Sequence, residues 1–271
     1  MSPQESWQLA GTAPETYHRY VVPALFAPWA HRLVKEVALQ PGERVLDIAC
    51  GTGVVTRLAA TQVGLGGAVV GLDLNAGMLA VARSQPAQSG ASIDWREGNA
   101  LTLPFADETF DVVLCQQGLQ FFPDRSLALQ EMRRVLTRDG RLAVSVWRSI
   151  DCSPGFLALA TALDRYAGTE AGAIMRAPFA LDDPETLHRL VHAAGFRDIA
   201  VCASSEMVRW PSAEAFVQHQ PGATPLAPIV AGLTPQTREE LRRHVVTALR
   251  PYTGPDGVAW PVEAHLVTAR R

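Results

Sequence analysis

One stretch limits the fold of this chain more than any other: Val45-Leu46-Asp47-Ile48-Ala49-Cys50-Gly51-Thr52-Gly53. A short apolar run passes into a glycine turn, and residues 54–61 then have the composition of a helix. A strand–turn–helix unit of this kind brings bare backbone against a ligand, because glycine puts no side chain in the way. The dinucleotide fingerprint G-x-G-x-x-G is incomplete here, with Thr56 where its third glycine belongs. Asp47 weighs further against a dinucleotide: at the strand end it would repel a pyrophosphate by on the order of several kcal/mol in a partly buried site.

The same carboxylate suits a ligand with an ammonium at one end and a cationic sulfur, and S-adenosylmethionine is such a ligand. Asp73 closes the apolar run Val69-Val70-Gly71-Leu72, about 20 residues after the turn. An acid at that distance accepts hydrogen bonds from ribose hydroxyls. The plain alternative is that Asp73 caps the next helix, and the two roles can coexist.

Around this unit, strands are expected at 45–49, 68–72, 93–96, 110–115, 142–147, 199–203 and 264–269. Helical patterns fall at 54–61, 76–83, 126–136, 184–194 and 238–249. Alternating strands and helices indicate βαβ units and a parallel sheet. The unbroken apolar character of Val112-Val113-Leu114 and Leu142-Ala143-Val144 fits strands buried on both faces. Residues 14–38 read as a helix that Pro23 and Pro28 break into pieces, and 211–235, with five prolines, reads as irregular. Residues 148–182 and 208–235 have the weakest patterns and are candidates for a lid over a substrate.

A formal net charge of −3, with no cluster of Lys and Arg, gives no footprint for a nucleic acid. Cys50, Cys115, Cys152 and Cys202 lack the paired spacing of a zinc or redox site, so reduced thiols are expected. Met1 to Ala10 has no basic region followed by an apolar stretch, so no signal peptide is expected. No apolar run reaches the roughly 18 residues of a membrane span, and the cytoplasm is the expected location.

With these residues in view, the chain resembles the class I S-adenosylmethionine-dependent methyltransferases, and within them the ubiquinone/menaquinone-biosynthesis group. Asp47-Ile48-Ala49-Cys50-Gly51-Thr52-Gly53 resembles their D-x-G-x-G-x-G turn, with Ala49 for the first glycine. Gly71-Leu72-Asp73-Leu74-Asn75-Ala76-Gly77-Met78-Leu79 resembles their second motif, which implies Asp73 on the ribose and Leu74 and Met78 against the adenine. Gly98-Asn99-Ala100 falls where the family has Asp in place of Asn99, which implies a neutral contact from Asn99 and backbone from Ala100 to the ring. Phe110 to Asp124 resembles the fourth motif, and by that resemblance the backbone near Gln116 and Gln117 holds the methionine ammonium. Tyr17 to Phe26 resembles the segment that folds over the cofactor. Either Tyr17 or Tyr20 touches the carboxylate end there, unless both only pack the helix.

Methyl transfer needs alignment and exclusion of water more than it needs a resident base. His18, His31 and His219 could line the pocket, as could Gln117, Gln120 and Arg176, although a solvated or packing role is the plainer reading for each histidine. His188 and His192 are spaced to share a helix face, but no third ligand accompanies them and a solvated face is expected. Trp95, Trp147 and Trp210 read as core aromatics. Cys115-Gln116-Gln117-Gly118 replaces the acid-or-Asn, Pro-Pro, aromatic signature of nucleic-acid amino methylases.

The expected architecture is a doubly wound α/β fold with a seven-stranded, mostly parallel sheet, its last strand antiparallel. Residues 1–40 would form a helical segment over the cofactor, and 41–271 a methyltransferase domain with a lid at about 148–182. The expected activity is methyl transfer from S-adenosylmethionine to carbon, oxygen or nitrogen of a small apolar acceptor, with S-adenosylhomocysteine as product. The expected partners are that acceptor and, for a homodimer, a second copy; no metal is expected. Two other readings keep the cofactor: a cyclisation on the same frame, and a module that binds without catalysis.

Overall fold

The computed structural model describes residues 9, 11–86 and 89–271. The reading of Met1 to Ala10 therefore lies, Leu9 apart, outside the described residues.

The strands are β1 (Arg44–Ile48), β2 (Ala68–Asp73), β3 (Ile93–Glu97), β4 (Phe110–Gln116), β5 (Leu136–Trp147), β6 (Arg197–Trp210), β7 (Thr253–Gly254) and β8 (Gly257–Arg270). They form one sheet in the order β3-β2-β1-β4-β5-β8-β6, with the two-residue β7 beside β8. β1 to β5 are parallel neighbours along this path. β8 runs antiparallel to both β5 and β6. The expected seven-strand path with a reversed last strand is present, and β7 adds an eighth strand.

Three strands exceed their apolar runs. β5 starts at Leu136 because Phe110 pairs with Leu136 and Val112 with Arg141, a shift in register that carries Asp139 and Gly140 across a bulge. β6 and β8 continue as a long antiparallel ladder from Arg197–Arg270 to Trp210–Val258. The first half of β8 alternates buried and half-buried residues, and outward Gly257, Ala259, Pro261 and Glu263 break up the apolar run that would mark such a strand.

Successive residues of a strand face opposite sides of the sheet, and this divides the core in two. Val45, Val112 and Leu114 pack under Trp29 and Leu33 on one face. Leu46, Val113 and Cys115 pack with Leu119, Leu129 and Met132 on the other. The crossover helices are α3 (Val54–Val63), α4 (Ala76–Ser84) and α5 (Arg125–Val135), and α8 (Pro184–Ala193) precedes β6.

The prolines behave otherwise than expected. Ala13–Thr16 (α1), a π-helix Tyr17–Phe26 and Ala27–Val37 (α2) follow one another without a break. Pro23 would clash with the carbonyl four residues back in an α-helix, whereas π-helical geometry bonds one residue further back and makes room. Pro28 sits in the first turn of α2, where its missing N–H is not needed. The 211–235 segment is likewise not irregular: it holds α9 (Ala213–His219), a 3₁₀ turn Pro221–Ala223 and α10 (Ala227–Ala231), with Pro221 and Pro228 at helix starts. α11 (Pro235–Ala248) follows. The 148–182 segment forms α6 (Pro154–Tyr166) and α7 (Thr169–Arg176), with 3₁₀ turns at Ile150–Cys152 and Ala177–Phe179.

Candidate active site

The carboxyl ends of β1, β2 and β4 open into a cavity of about 190 Å³. Such a position, where crossovers leave the sheet on opposite sides, is where doubly wound folds bind ligands. The loop after β1 threads through left-handed backbone at Ala49 (φ 56°), Gly51 (φ 55°) and Gly53 (φ 82°). Ala49 and Gly51 line the cavity. Gly53 does not: a Cβ there would lie 2.2 Å from the Trp95 ring, so this glycine serves packing.

Asp73 lines the cavity at the end of β2. One carboxylate oxygen accepts the Gly51 N–H at 2.7 Å and the other the Asn75 N–H at 2.8 Å. Burial raises its pKa, and these backbone donors oppose the rise. Asn75 in turn caps α4 by accepting the Met78 N–H at 3.0 Å, so the helix-cap role falls to Asn75. Leu74, Met78, Gly98 and Ala100 line the wall beside Asp73. Asn99 is used locally, its Oδ1 accepting the Leu101 N–H at 2.9 Å.

Asp47 lies beneath the loop, 1% exposed, and accepts the Thr56 hydroxyl at 2.6 Å. Desolvation pushes its pKa up to about 7, against that hydrogen bond. Cys50 is buried too, with its thiol pushed up by the same cause, and its N–H ties the loop to Leu72 O of β2 at 3.1 Å.

Of the two tyrosines, Tyr17 lines the cavity, and a Cβ on Gly51 would sit 4.0 Å from its hydroxyl. Burial raises the Tyr17 phenol, and the Asp73 charge adds to this. Tyr20 instead stacks on His219, with ring centroids 3.6 Å apart. Gln116 and Gln117 line the cavity from the end of β4. Gln116 Nε2 donates to Phe26 O of the π-helix at 2.9 Å, and its Oε1 is buried without a partner.

A second chamber of about 70 Å³ adjoins the first, with Tyr17, Phe26, Gln117 and Phe121 in both walls. The two weakly patterned segments meet there: Phe156, Met175 and Phe179 come from one, Gln220 and Thr224 from the other. Trp147 is a core aromatic and also a chamber wall. The chamber is well below the roughly 150 Å³ of an apolar cavity that admits benzene, so a ring enters only if a wall moves.

None of the candidate bases lines either space. His18 bonds through Nδ1 to the Thr52 hydroxyl at 3.0 Å and faces an outer groove with Arg57. His31 is exposed in the same groove. Arg176 makes two hydrogen bonds to Asp164. His188 and His192 are exposed on α8 with rings 6.2 Å apart. Phe26, Phe121, Phe122 and Asn75 line the cavity without having been singled out. The Phe121-Phe122 pair had an available signal, being two adjacent aromatics just past a strand end.

Residues 46–144 match the family model described as a methyltransferase domain. The likeness to methyltransferases is carried by this stretch. Its boundaries run from β1 to β5 and so contain the glycine turn, Asp73 and both glutamines. The 2-phytyl-1,4-naphtoquinone methyltransferase of Synechococcus elongatus is 41% identical over 118 residues, 43% of this chain and 51% of that protein. The ubiquinone/menaquinone biosynthesis C-methyltransferase UbiE of Xanthomonas campestris is 43% identical over 118 residues, 43% of this chain and 47% of that protein. The chain thus spans about half the length of the curated relatives it matches. Outside residues 46–144 the likeness is one of fold. Phosphoethanolamine N-methyltransferase 2 of Haemonchus contortus, solved with S-adenosyl-L-methionine, superposes with a TM-score of 0.56 at 19% identity, covering 90% of this chain and 52% of that one. Among the described residues no helix is long and apolar enough to cross a membrane.

Proposed function

We propose that the chain transfers a methyl group from S-adenosylmethionine to a small, largely apolar acceptor. The observation that carries this reading is the pair of joined spaces, one edged by Asp73, Gly51 and Gln116, the other walled by aromatics. The residues of the first fit the cofactor part by part. Asp73 offers carboxylate lone pairs to a ribose, and Leu74 and Met78 offer an apolar face to the adenine. Gly51 leaves room that a side chain would fill, and the unpartnered Gln116 Oε1 suits an ammonium. The half-buried Asp73 carboxylate sets a negative field on this side of the cavity, which suits a cationic ligand.

When bound, the cofactor supplies a methyl already activated by its sulfonium. The protein's own part is alignment and exclusion of water. Tyr17 and Phe26 of the π-helix close one side, and Phe121 stands between the two spaces. Holding two reactants in line turns a bimolecular step into an effectively unimolecular one. Since no histidine lines either space among the described residues, the acceptor brings its own nucleophilicity. The likeness to the ubiquinone/menaquinone biosynthesis C-methyltransferase favours carbon as the receiving atom.

Calorimetric titration tests the cofactor first. Micromolar binding of S-adenosylmethionine and S-adenosylhomocysteine, and none of NAD, is the expected outcome; binding of NAD alone, or of none of the three, refutes it. Turnover that forms product without releasing S-adenosylhomocysteine moves the assignment to another reaction on the same frame.

A further inference from the structure

The second chamber carries information about what it takes. Among the described residues that line it there is no Asp, Glu, Lys, Arg or His. Its polar side-chain atoms come from Tyr17, Gln117, Gln220 and Thr224, with the indole N–H of Trp147. Thr224 is spent on its own turn, donating to Pro221 O at 2.9 Å and accepting the Leu226 N–H at 3.2 Å.

Gln117 and Gln220 are each 5% exposed, and each has one amide atom without a partner: Nε2 of Gln117 and Oε1 of Gln220. Leaving a buried polar atom unpaired is costly. Here the two orphans belong to one chamber and are complementary, a donor and an acceptor. Gln117 Oε1 accepts Gln120 Nε2 at 3.4 Å, which leaves Nε2 as the free end. Its backbone is left-handed at φ 54°, fixed by an N–H donated to Ser145 O at 2.9 Å. A strained non-glycine backbone with an unpaired buried amide, in the wall between two cavities, is the kind of local cost that binding sites retain.

We propose that Gln117 and Gln220 position the acceptor, a substrate assignment that rests on the methyl-transfer reading above. Gln117 Nε2 donates to an oxygen or ring nitrogen of the acceptor on the side toward the cofactor cavity. Gln220 Oε1 accepts from a hydroxyl or N–H elsewhere on the same molecule. The acceptor class is an uncharged flat ring that bears both an accepting and a donating group. Carboxylates and ammonium groups are rejected, because a charge in this chamber finds neither water nor a counter-ion.

The test uses protein saturated with S-adenosylhomocysteine and four single-ring probes at pH 6.5, read by saturation-transfer NMR titration. 4-Hydroxyacetophenone carries both hydrogen-bonding functions, 4-ethyltoluene neither, 4-hydroxybenzoate an anion and tyramine a cation. The expected result is that 4-hydroxyacetophenone binds at least about tenfold more tightly than each of the others, since a site built to hydrogen-bond rejects ligands that leave it unpaired. Gln117→Gly and Gln220→Leu should each weaken it by about fivefold, the scale of one neutral hydrogen bond. Gln117→Gly should also melt no lower than the parent, because glycine relieves the left-handed backbone. A ranking by apolarity alone, tolerance of either charge, or unchanged preference in both variants overturns the proposal. A parent protein that takes up no S-adenosylhomocysteine overturns the methyl-transfer reading itself, which the probe ranking alone leaves standing.

Discussion

Gly51 and Gly53 share a turn and a left-handed backbone, yet they answer to different neighbours. Around Gly51 the nearest protein atoms would sit 4.0 Å from a new Cβ, and the space belongs to the cavity. Around Gly53 the space belongs to Trp95. Gly51→Val should therefore abolish S-adenosylhomocysteine binding at a stability cost of about 1–2 kcal/mol for the backbone alone. Gly53→Ala should cost more stability than that, since Trp95 must move as well. Calorimetry and thermal melts on both variants separate the two effects, and equal losses of stability would contradict the assignment. Asp47 sets a second test at this scale. Its folded pKa of about 7 exceeds the ordinary 3.8, so the folded chain holds an extra proton between those values. Stability must then fall as pH rises through that window and level off above it. Asp47→Asn keeps an oxygen for the Thr56 hydroxyl and removes the charge. It should be more stable than the parent at pH 8, by up to about 4 kcal/mol, and converge with it near pH 4. A gap of equal size at both pH values would refute this.

At the scale of elements, the 148–182 segment offers a test of the chamber. Phe179 stacks with Trp147 at 6.3 Å and packs on Phe156 at 5.6 Å. Phe179→Ala should widen the chamber and raise affinity for bulkier rings, at a cost toward the lower end of about 3–5 kcal/mol. Affinities that still fall with ring size would place the acceptor elsewhere. The same elements show what the sequence made legible. β1, β2 and β4 announced themselves because their middles are apolar and largely buried, as in Val45-Leu46, Val69-Val70 and Val112-Val113-Leu114. Asp73 and Gly51 were legible as cavity-lining residues because they sit at strand ends, whereas the packing role of Gly53 against Trp95 was not. The start of β5 was not, because Arg138-Asp139-Gly140-Arg141 reads as a turn until a neighbouring strand supplies its ladder. The π-helix was hidden by Pro23, whose usual effect is to stop a helix. The chamber was legible only as two stretches without pattern. That they converge on Gln117 and Trp147 depends on tertiary contacts between segments about 40 residues or more apart.

Across the whole molecule, the proposed cofactor cavity draws on the ends of β1, β2 and β4, on the loop after β3 and on the π-helix, so occupancy should stabilise the fold globally. Saturation with S-adenosylhomocysteine at a hundred times its Kd adds about 2.7 kcal/mol, or roughly 5–10 °C in melting temperature. NAD at the same concentration should give no shift, and equal shifts would point to a general nucleotide site. The placement of β8 bears on something else, the order in which the chain is made. β8 follows β6 in sequence yet lies between β5 and β6 in the sheet. Until it emerges from the ribosome, β5 and the fourteen-residue β6 each present a bare hydrogen-bonding edge toward the same empty slot. The half of the sheet that begins at β5 thus waits on its last-made strand, and a nascent chain stalled near residue 250 exposes two edges that can join those of another copy.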